Sequence, residues 1–320
     1  MTAHAAAQTA ALLPYAPLVA ALRDAALQLA AGKITCPQRQ VIAMGGGALL
    51  SMQAVGADLA VHKLVTVVPD NRTRGLPTIQ GQVSVVRSST GELLHSLDGA
   101  TVTGRRTAAL SMLGVATLAD TPPRSVLLYG TGVQAFHHIE ALAVLYPAAR
   151  VRVCGRTPAA AEAFCRAQAA TGASLTPAHS ASIPEHVDLV ITCTTSAEPV
   201  YRVDATAARL IIAVGTYSPA NAEIGAATVR GSALYVDDMT NAREEAGDLI
   251  RAQIEWTQVR SIADAIVGVN ANPADAHKRA RATLFKTVGS AAWDLAAARV
   301  AVATAAASSA TIRGGVTNLS

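Results

Sequence analysis

The sequence predicts an α/β protein: a doubly wound parallel sheet, with a second α+β domain built from the N-terminal part of the chain and its C-terminal helix. Three observations predict it. From Ser125 onward, short apolar runs without alternation recur between helical stretches, the pattern of parallel strands buried on both faces. Between about Gln38 and Leu97, runs rich in Val, Ile and Thr are broken by Gly, Pro and Asn, which reads as a separate sheet. The first of the unalternating runs leads directly into a glycine-rich turn that opens a helix.

The elements follow in order. Residues 14–31 form an amphipathic Ala- and Leu-rich stretch closed by Gly32, a helix with its C-terminal stop. VIAM (41–44), VHKLVTVV (61–68), IQGQVSVV (79–86) and ELLHSL (92–97) read as strands, with Ser89-Thr90-Gly91 as the turn between the last two. Gly45-Gly46-Gly47 reads as a flexible turn, since no Gly-Lys-Ser/Thr follows to make a phosphate loop. Thr101–Ala119 is a helix, and Asp120-Thr121-Pro122-Pro123 a break. SVLLY (125–129), RVRVC (150–154), VDLVITC (187–193), RLIIAV (209–214) and ALYVD (233–237) are then strands, with helices over 133–146 and 158–170. A long Ala-rich helix from Ala280 to Ala307 carries Phe285, Val288, Trp293 and Leu295, and the last dozen residues read as loose. The domain division expected is 1–119, completed by about 290–320, against 120–289.

Composition narrows the class. A length of 320 residues suits two domains. With 51% hydrophobic residues and 15% charged, there is ample material for a core, so a disordered chain is excluded. Cys36, Cys154, Cys165 and Cys193 are scattered and form no C-x-x-C pair, which leaves a disulfide scaffold or a zinc ribbon without support. The most apolar stretch, Pro14–Ala31, is interrupted by Arg23 and Asp24, short of the roughly 18 uncharged residues of a membrane span. No basic segment opens the chain, so a soluble cytoplasmic protein is expected. The net charge of +4 comes from dispersed residues with 3% aromatics, a poor match to a nucleic-acid surface.

YGTGVQA (129–135) is a G-x-G-x-x-A turn between the first buried strand and its helix. Gly130 permits the tight turn, Gly132 lets backbone approach a pyrophosphate, and Ala135 lets helix and strand pack closely. In this strand–turn–helix context it predicts a Rossmann dinucleotide site, with Val133 and Gln134 in its first turn. An NAD site usually carries an acid at the end of the second strand; here Gly155-Arg156-Thr157 stands instead. Arg156 can fork onto a 2′-phosphate and Thr157 can donate a hydroxyl, which favours NADPH over NADH. The plainer alternative is that Arg156 stacks on the adenine.

Lys63 is one of only four lysines and lies mid-strand among apolar residues. It faces either solvent or a pocket; burial would lower its pKa and suit it to proton transfer. Arg39 and Arg106 are each able to hold a carboxylate through forked bonds, or are surface charges. His137-His138 with Glu140 lacks a third metal ligand in sequence and reads as packing, so no metal is expected.

HKLVTVVPDN, GLPTIQGQV, TGRRTAALS, GTGVQAFHHIE and TLFKTVGSAAWDLAAA, in this order across about 37–300, resemble the ornithine cyclodeaminase/mu-crystallin family. The resemblance implies a substrate and dimerisation domain around a Rossmann domain, and a homodimer built by sheet pairing in the first. It implies substrate positions at Arg39, Lys63 and Arg106, with Lys63 catalytic. It implies cofactor contacts at Thr78, Arg106, Gly132 to Gln134, Arg156, Thr157, Thr194, and Val214 with Gly215. Where the family's cyclodeaminases carry a catalytic Asp, VGTYSPANAEI (214–224) has Tyr217. That departure implies a simpler reductase of cyclic imino acids, forming L-proline or L-pipecolate with NADPH. The alternatives are an L-alanine-type dehydrogenase, a cyclodeaminase disfavoured by Tyr217, and a non-catalytic NADPH-dependent binder.

Overall fold

The computed structural model describes residues 1–178, 186–205, 209–271 and 282–316. The chain divides into two compact units, Met1–Arg106 with Ser290–Ser320, and Thr107–Gly289.

The first unit holds a six-stranded sheet of β1 (Thr2–Ala3), β2 (Gln40–Met44), β3 (Gly47–Val55), β4 (Leu59–Val67), β5 (Ile79–Arg87) and β6 (Leu93–Asp98). The spatial order is β1-β6-β5-β4-β3-β2, antiparallel throughout except that β1 runs parallel to β6. Strand β3 was not legible as a strand from its sequence. It opens on the glycine triplet, which closes a two-residue hairpin with Met44 opposite Gly47. Gly46 sits there at φ +103, a conformation that side chains avoid. Alternation then sorts the faces: Leu50, Met52 and Ala54 on β3, Val61, Lys63 and Val65 on β4, and Val83 and Val85 on β5 are buried. Helix α2 (Tyr15–Ala30) and the C-terminal helix (Ala291–Val316) pack together, and the C-terminal helix lies against β3 and β4. A short helix α1 (Ala6–Ala11) precedes α2.

The second unit is an eight-stranded parallel sheet of β7 (Ser125–Tyr129), β8 (Arg150–Cys154), β9 (Ser174–Ala178), β10 (Leu189–Thr192), β11 (Leu210–Ala213), β12 (Ala233–Val236), β13 (Val259–Ser261) and β14 (Thr283–Lys286). Its order is β13-β12-β14-β11-β10-β7-β8-β9. The chain winds outward from β7 through α4 (Val133–Leu145), β8 and α5 (Pro158–Ala167) to β9, then restarts on the other side of β7 with β10. The reversal puts a switch point beside the carboxyl end of β7, where open parallel sheets bind ligands.

Two expectations need correction. The long C-terminal helix begins at Ala291, not near Ala280: Phe285 and its neighbours form β14, inserted between β11 and β12. Residue Ala280 itself lies outside the described residues. The last dozen residues are not loose as far as Val316, where the helix ends; the final four lie outside the described residues. The two compact units part inside α3 (Gly99–Leu118), at Arg106/Thr107. The second half of α3 is tied into the parallel-sheet unit, where Ser111 Oγ and His138 Nε2 of α4 are 2.8 Å apart.

Candidate active site

The strand pleat decides the fate of Lys63. His62 points to the exposed face and lies 3.0 Å from Ser51 Oγ, while Lys63 takes the core face, 2% exposed, between Met52 on β3 and Val83 on β5. The solvent-facing alternative is thereby excluded. A buried ammonium requires a partner, and Asp294, in the first turn of the C-terminal helix, supplies it: its Oδ2 lies 2.7 Å from Lys63 Nζ. The other oxygen, Oδ1, accepts from Arg106 Nε at 3.3 Å. Arg106 is buried on α3 and Asp294 is fully buried. Arg39, just before β2, is near enough for its charge to act on the lysine. Burial pushes the Lys63 pKa down to about 8, against the pull of Asp294, with Arg106 and Arg39 adding to the depression. The structure thus sets Lys63 and Arg106 on one carboxylate that the sequence did not reveal, with half-buried Arg39 close enough to act on the lysine. Asp294 is a lone acid in an Ala-rich helix, and only its place beside a buried lysine marks it.

Thr78 also lies in the first unit, at the end of a pinned loop. Its carbonyl accepts from Val68 N–H at 2.9 Å, and Asn71 Nδ2 donates to the adjacent Pro77 carbonyl at 3.0 Å.

In the second unit, Gly130 sits at φ +121 after β7, and a Cβ there would stand 2.5 Å from the Cys193 carbonyl oxygen. Glycine is required by both the dihedral and the contact. Gly132 is the N-cap of α4 and contributes no side chain to its first amides. Three features fit this loop to a dinucleotide. The space a Cβ would take at Gly132 is open to 4 Å, Val133 beside it is exposed, and the buried Oε1 of Gln134 has no hydrogen-bond partner. At the end of β8, Arg156 is exposed, and Thr157 caps α5 by accepting from Ala160 N–H at 3.2 Å. No acid stands at that strand end.

A second group missed from sequence stands beneath Thr194, Val214 and Gly215, in the loops after β10 and β11. Buried Glu223 accepts from Thr194 N–H (2.6 Å) and Oγ1 (2.8 Å) with one oxygen, and from Gly215 N–H (2.6 Å) with the other. It ties the two loops together. Asp248 Oδ1 accepts from the Glu223 and Ile224 amides at 2.6 and 2.8 Å, and its Oδ2 is 3.1 Å from Lys286 Nζ. Lys286 also donates to the Thr216 carbonyl at 2.7 Å. Burial holds the Glu223 pKa above the usual carboxylate range, although Lys286 draws it down. Tyr217 is exposed nearby in sequence.

His137 Nδ1 lies 3.0 Å from Glu140, and buried His138 spans Ser111 and the Gln134 carbonyl. Among the described residues, no three His, Cys, Asp or Glu gather to hold a metal, and no helix is long and apolar enough to cross a membrane.

Comparison with known proteins finds relatives across nearly the whole chain. Residues 4–309 match the model of the ornithine cyclodeaminase/mu-crystallin family. Delta(1)-pyrroline-2-carboxylate reductase 2 of Burkholderia ambifaria is 51% identical over 297 residues, covering 92% of this chain and 93% of that one. The Delta(1)-pyrroline-2-carboxylate/Delta(1)-piperideine-2-carboxylate reductase of Azospirillum brasilense is 50% identical with the same coverage. Among solved structures, the Thermococcus litoralis Delta(1)-pyrroline-2-carboxylate reductase in complex with NADH and L-proline aligns at a TM-score of 0.87. It is 26% identical and the match covers 97% of this chain and 98% of that one.

Proposed function

The chain belongs to the ornithine cyclodeaminase/mu-crystallin family, and from that premise we propose that it reduces the C=N bond of cyclic imino acids, Δ1-pyrroline-2-carboxylate and Δ1-piperideine-2-carboxylate, to L-proline and L-pipecolate. The observation that carries the reading is the buried pair Lys63 and Arg106 sharing the carboxylate of Asp294, with half-buried Arg39 near enough for its charge to act on the lysine. Two buried cations share one carboxylate, which leaves an excess of positive charge suited to a substrate carboxylate. Arg39 and Arg106 hold that carboxylate, and Lys63 directs its ammonium at the imine nitrogen. The reduced nicotinamide supplies the hydride when bound.

The Gly130–Gln134 turn takes the pyrophosphate through backbone amides at the start of α4. Thr194, Val214 and Gly215 border the nicotinamide half, held in place by Glu223. Arg156 and Thr157 favour NADPH over NADH, because a guanidinium and a hydroxyl suit a 2′-phosphate where an acid would repel it. The active form is a homodimer. Edge strand β2 presents Val41, Ile42 and Met44 at 59%, 56% and 44% exposure, an apolar edge that a second copy would cover.

The test is consumption of NADPH with Δ1-pyrroline-2-carboxylate, set against pyruvate plus ammonia. Oxidation with the cyclic imine alone is expected. Oxidation with pyruvate and ammonia alone would shift the assignment to an alanine-type dehydrogenase. No consumption with any imine would leave a binder.

A further inference from the structure

We propose that Asp294 is the positioning residue of the reduction: its carboxylate keeps the buried Lys63 an ammonium and aims it, so that the lysine meets the imine as a proton donor. The inference rests on the reductase reading above and adds to it a residue with no place in the sequence-level site.

The geometry carries it. Asp294 offers one oxygen to each of two cations, Oδ2 to Lys63 Nζ at 2.7 Å and Oδ1 to Arg106 Nε at 3.3 Å. All three groups are buried, so water screens neither contact and the charge of each bears directly on the others. Among the described residues, Asp294 is the one anion that acts on Lys63. The lysine's cross-strand neighbours are Met52 and Val83, and the charges acting on it are Arg106 from α3, Arg39 ahead of β2, and Asp294 from the C-terminal helix. Two of these three disfavour an ammonium, as does burial; Asp294 alone favours it.

The chemistry requires that balance. Reduction of the imine forms a C–H bond at C2 from the hydride of the reduced nicotinamide and an N–H bond from a proton. The C=N π electrons move to nitrogen as the hydride arrives, and the proton leaves Lys63 Nζ for that nitrogen. The neutral amine then takes a replacement proton from water. A lysine already neutral has no proton to give. One held too tightly by its anion would give it slowly. With a pKa of about 8, Lys63 is charged at neutral pH and still a competent acid.

The test uses the fact that the chain has only four lysines. Their ε-carbons can be followed by NMR across a pH titration, with Lys63 assigned from a Lys63→Arg variant. In the parent enzyme Lys63 should titrate near 8, and kcat/KM for the cyclic imine should fall as pH rises through that midpoint. Asp294→Asn should move both the lysine midpoint and the descending limb down by about one pH unit or more, with NADPH binding unchanged. Asp294→Glu should restore part of both. Arg106→Gln, read by the lysine titration alone, should move the midpoint up, because a like charge is lost and Asp294 is left to Lys63.

An unmoved lysine midpoint in Asp294→Asn overturns the proposal, as does activity lost equally at all pH with the limb in place. If Asp294→Asn does not fold, Arg106→Gln decides: a raised midpoint supports the coupling and an unmoved one overturns it. A parent enzyme that consumes no NADPH with any cyclic imine overturns the reductase reading instead, whatever the lysine does.

Discussion

Two side chains, Lys63 and Arg156, lend themselves to opposite tests. Lys63 is enclosed, and its loss removes both an ammonium and one partner of Asp294. Arg106 still pairs with that carboxylate, so Lys63→Ala should fold. We expect its kcat to fall by about 10²- to 10⁴-fold, the usual yield of a positioned proton donor, with NADPH binding intact by fluorescence titration; a near-parental kcat would remove Lys63 from the chemistry. Arg156 is exposed at the end of β8, so Arg156→Ala should cost little stability. It should raise KM for NADPH by roughly 10-fold or more, the loss of one charged pair, and leave KM for NADH nearly unchanged. Equal losses with both cofactors would instead make the arginine a platform for the adenine. Lys63 and Arg156 could be singled out in the sequence because each is the wrong type of residue for its place, a lysine in a valine-rich strand and an arginine where an acid is usual. Asp294, Glu223 and Asp248 could not. Each is one acid among many until the fold sets it beside Lys63, Thr194 or Lys286.

At the level of elements, legibility followed length and β-branching. Strands β4, β5, β7 and β8 are Val- and Leu-rich runs bounded by turns, and they stand where those runs are. Strand β3 escaped because GALLSMQAV mixes weak strand formers behind a glycine triplet. Its stability comes from pairing on both sides with β2 and β4. Strand β14 escaped because four residues beside a long alanine run look like more helix; the parallel pairing to β11 and β12 overrides that tendency. The turn after β7 is the element most sensitive to a single atom. Gly130→Ala would force a Cβ against the Cys193 carbonyl at a positive φ, displacing the loop that carries Gly132. The expected result is a loss of stability of about 1–3 kcal/mol together with a raised KM for NADPH. Unchanged cofactor binding with lowered stability would separate the turn from the phosphate site.

For the molecule as a whole, acid should be the weak side. His138 is buried between Ser111 and the Gln134 carbonyl, and burial, only partly opposed by that carbonyl, lowers its pKa from 6.5 to about 4. The unfolded chain therefore binds this proton more readily than the folded one. The contribution to stability is complete above about pH 6.5 and is lost as pH falls toward 4, up to roughly 3 kcal/mol. Melting temperatures measured between pH 7 and 4.5 should show the decline, and His138→Gln should flatten it; an equal slope in the variant would place the acid-labile group elsewhere. The first unit has another consequence, one of timing. Its chain is interrupted by the whole of the second unit, and Arg106 and Asp294 are 188 residues apart. Synthesis proceeds from the N-terminus at about 5–20 residues per second. Sheet and lysine are thus made well before the helix that neutralises them. A chain cut before Ala291 can at most complete the second unit; the Lys63–Asp294–Arg106 cluster comes into being only once the helix that carries Asp294 packs on β4.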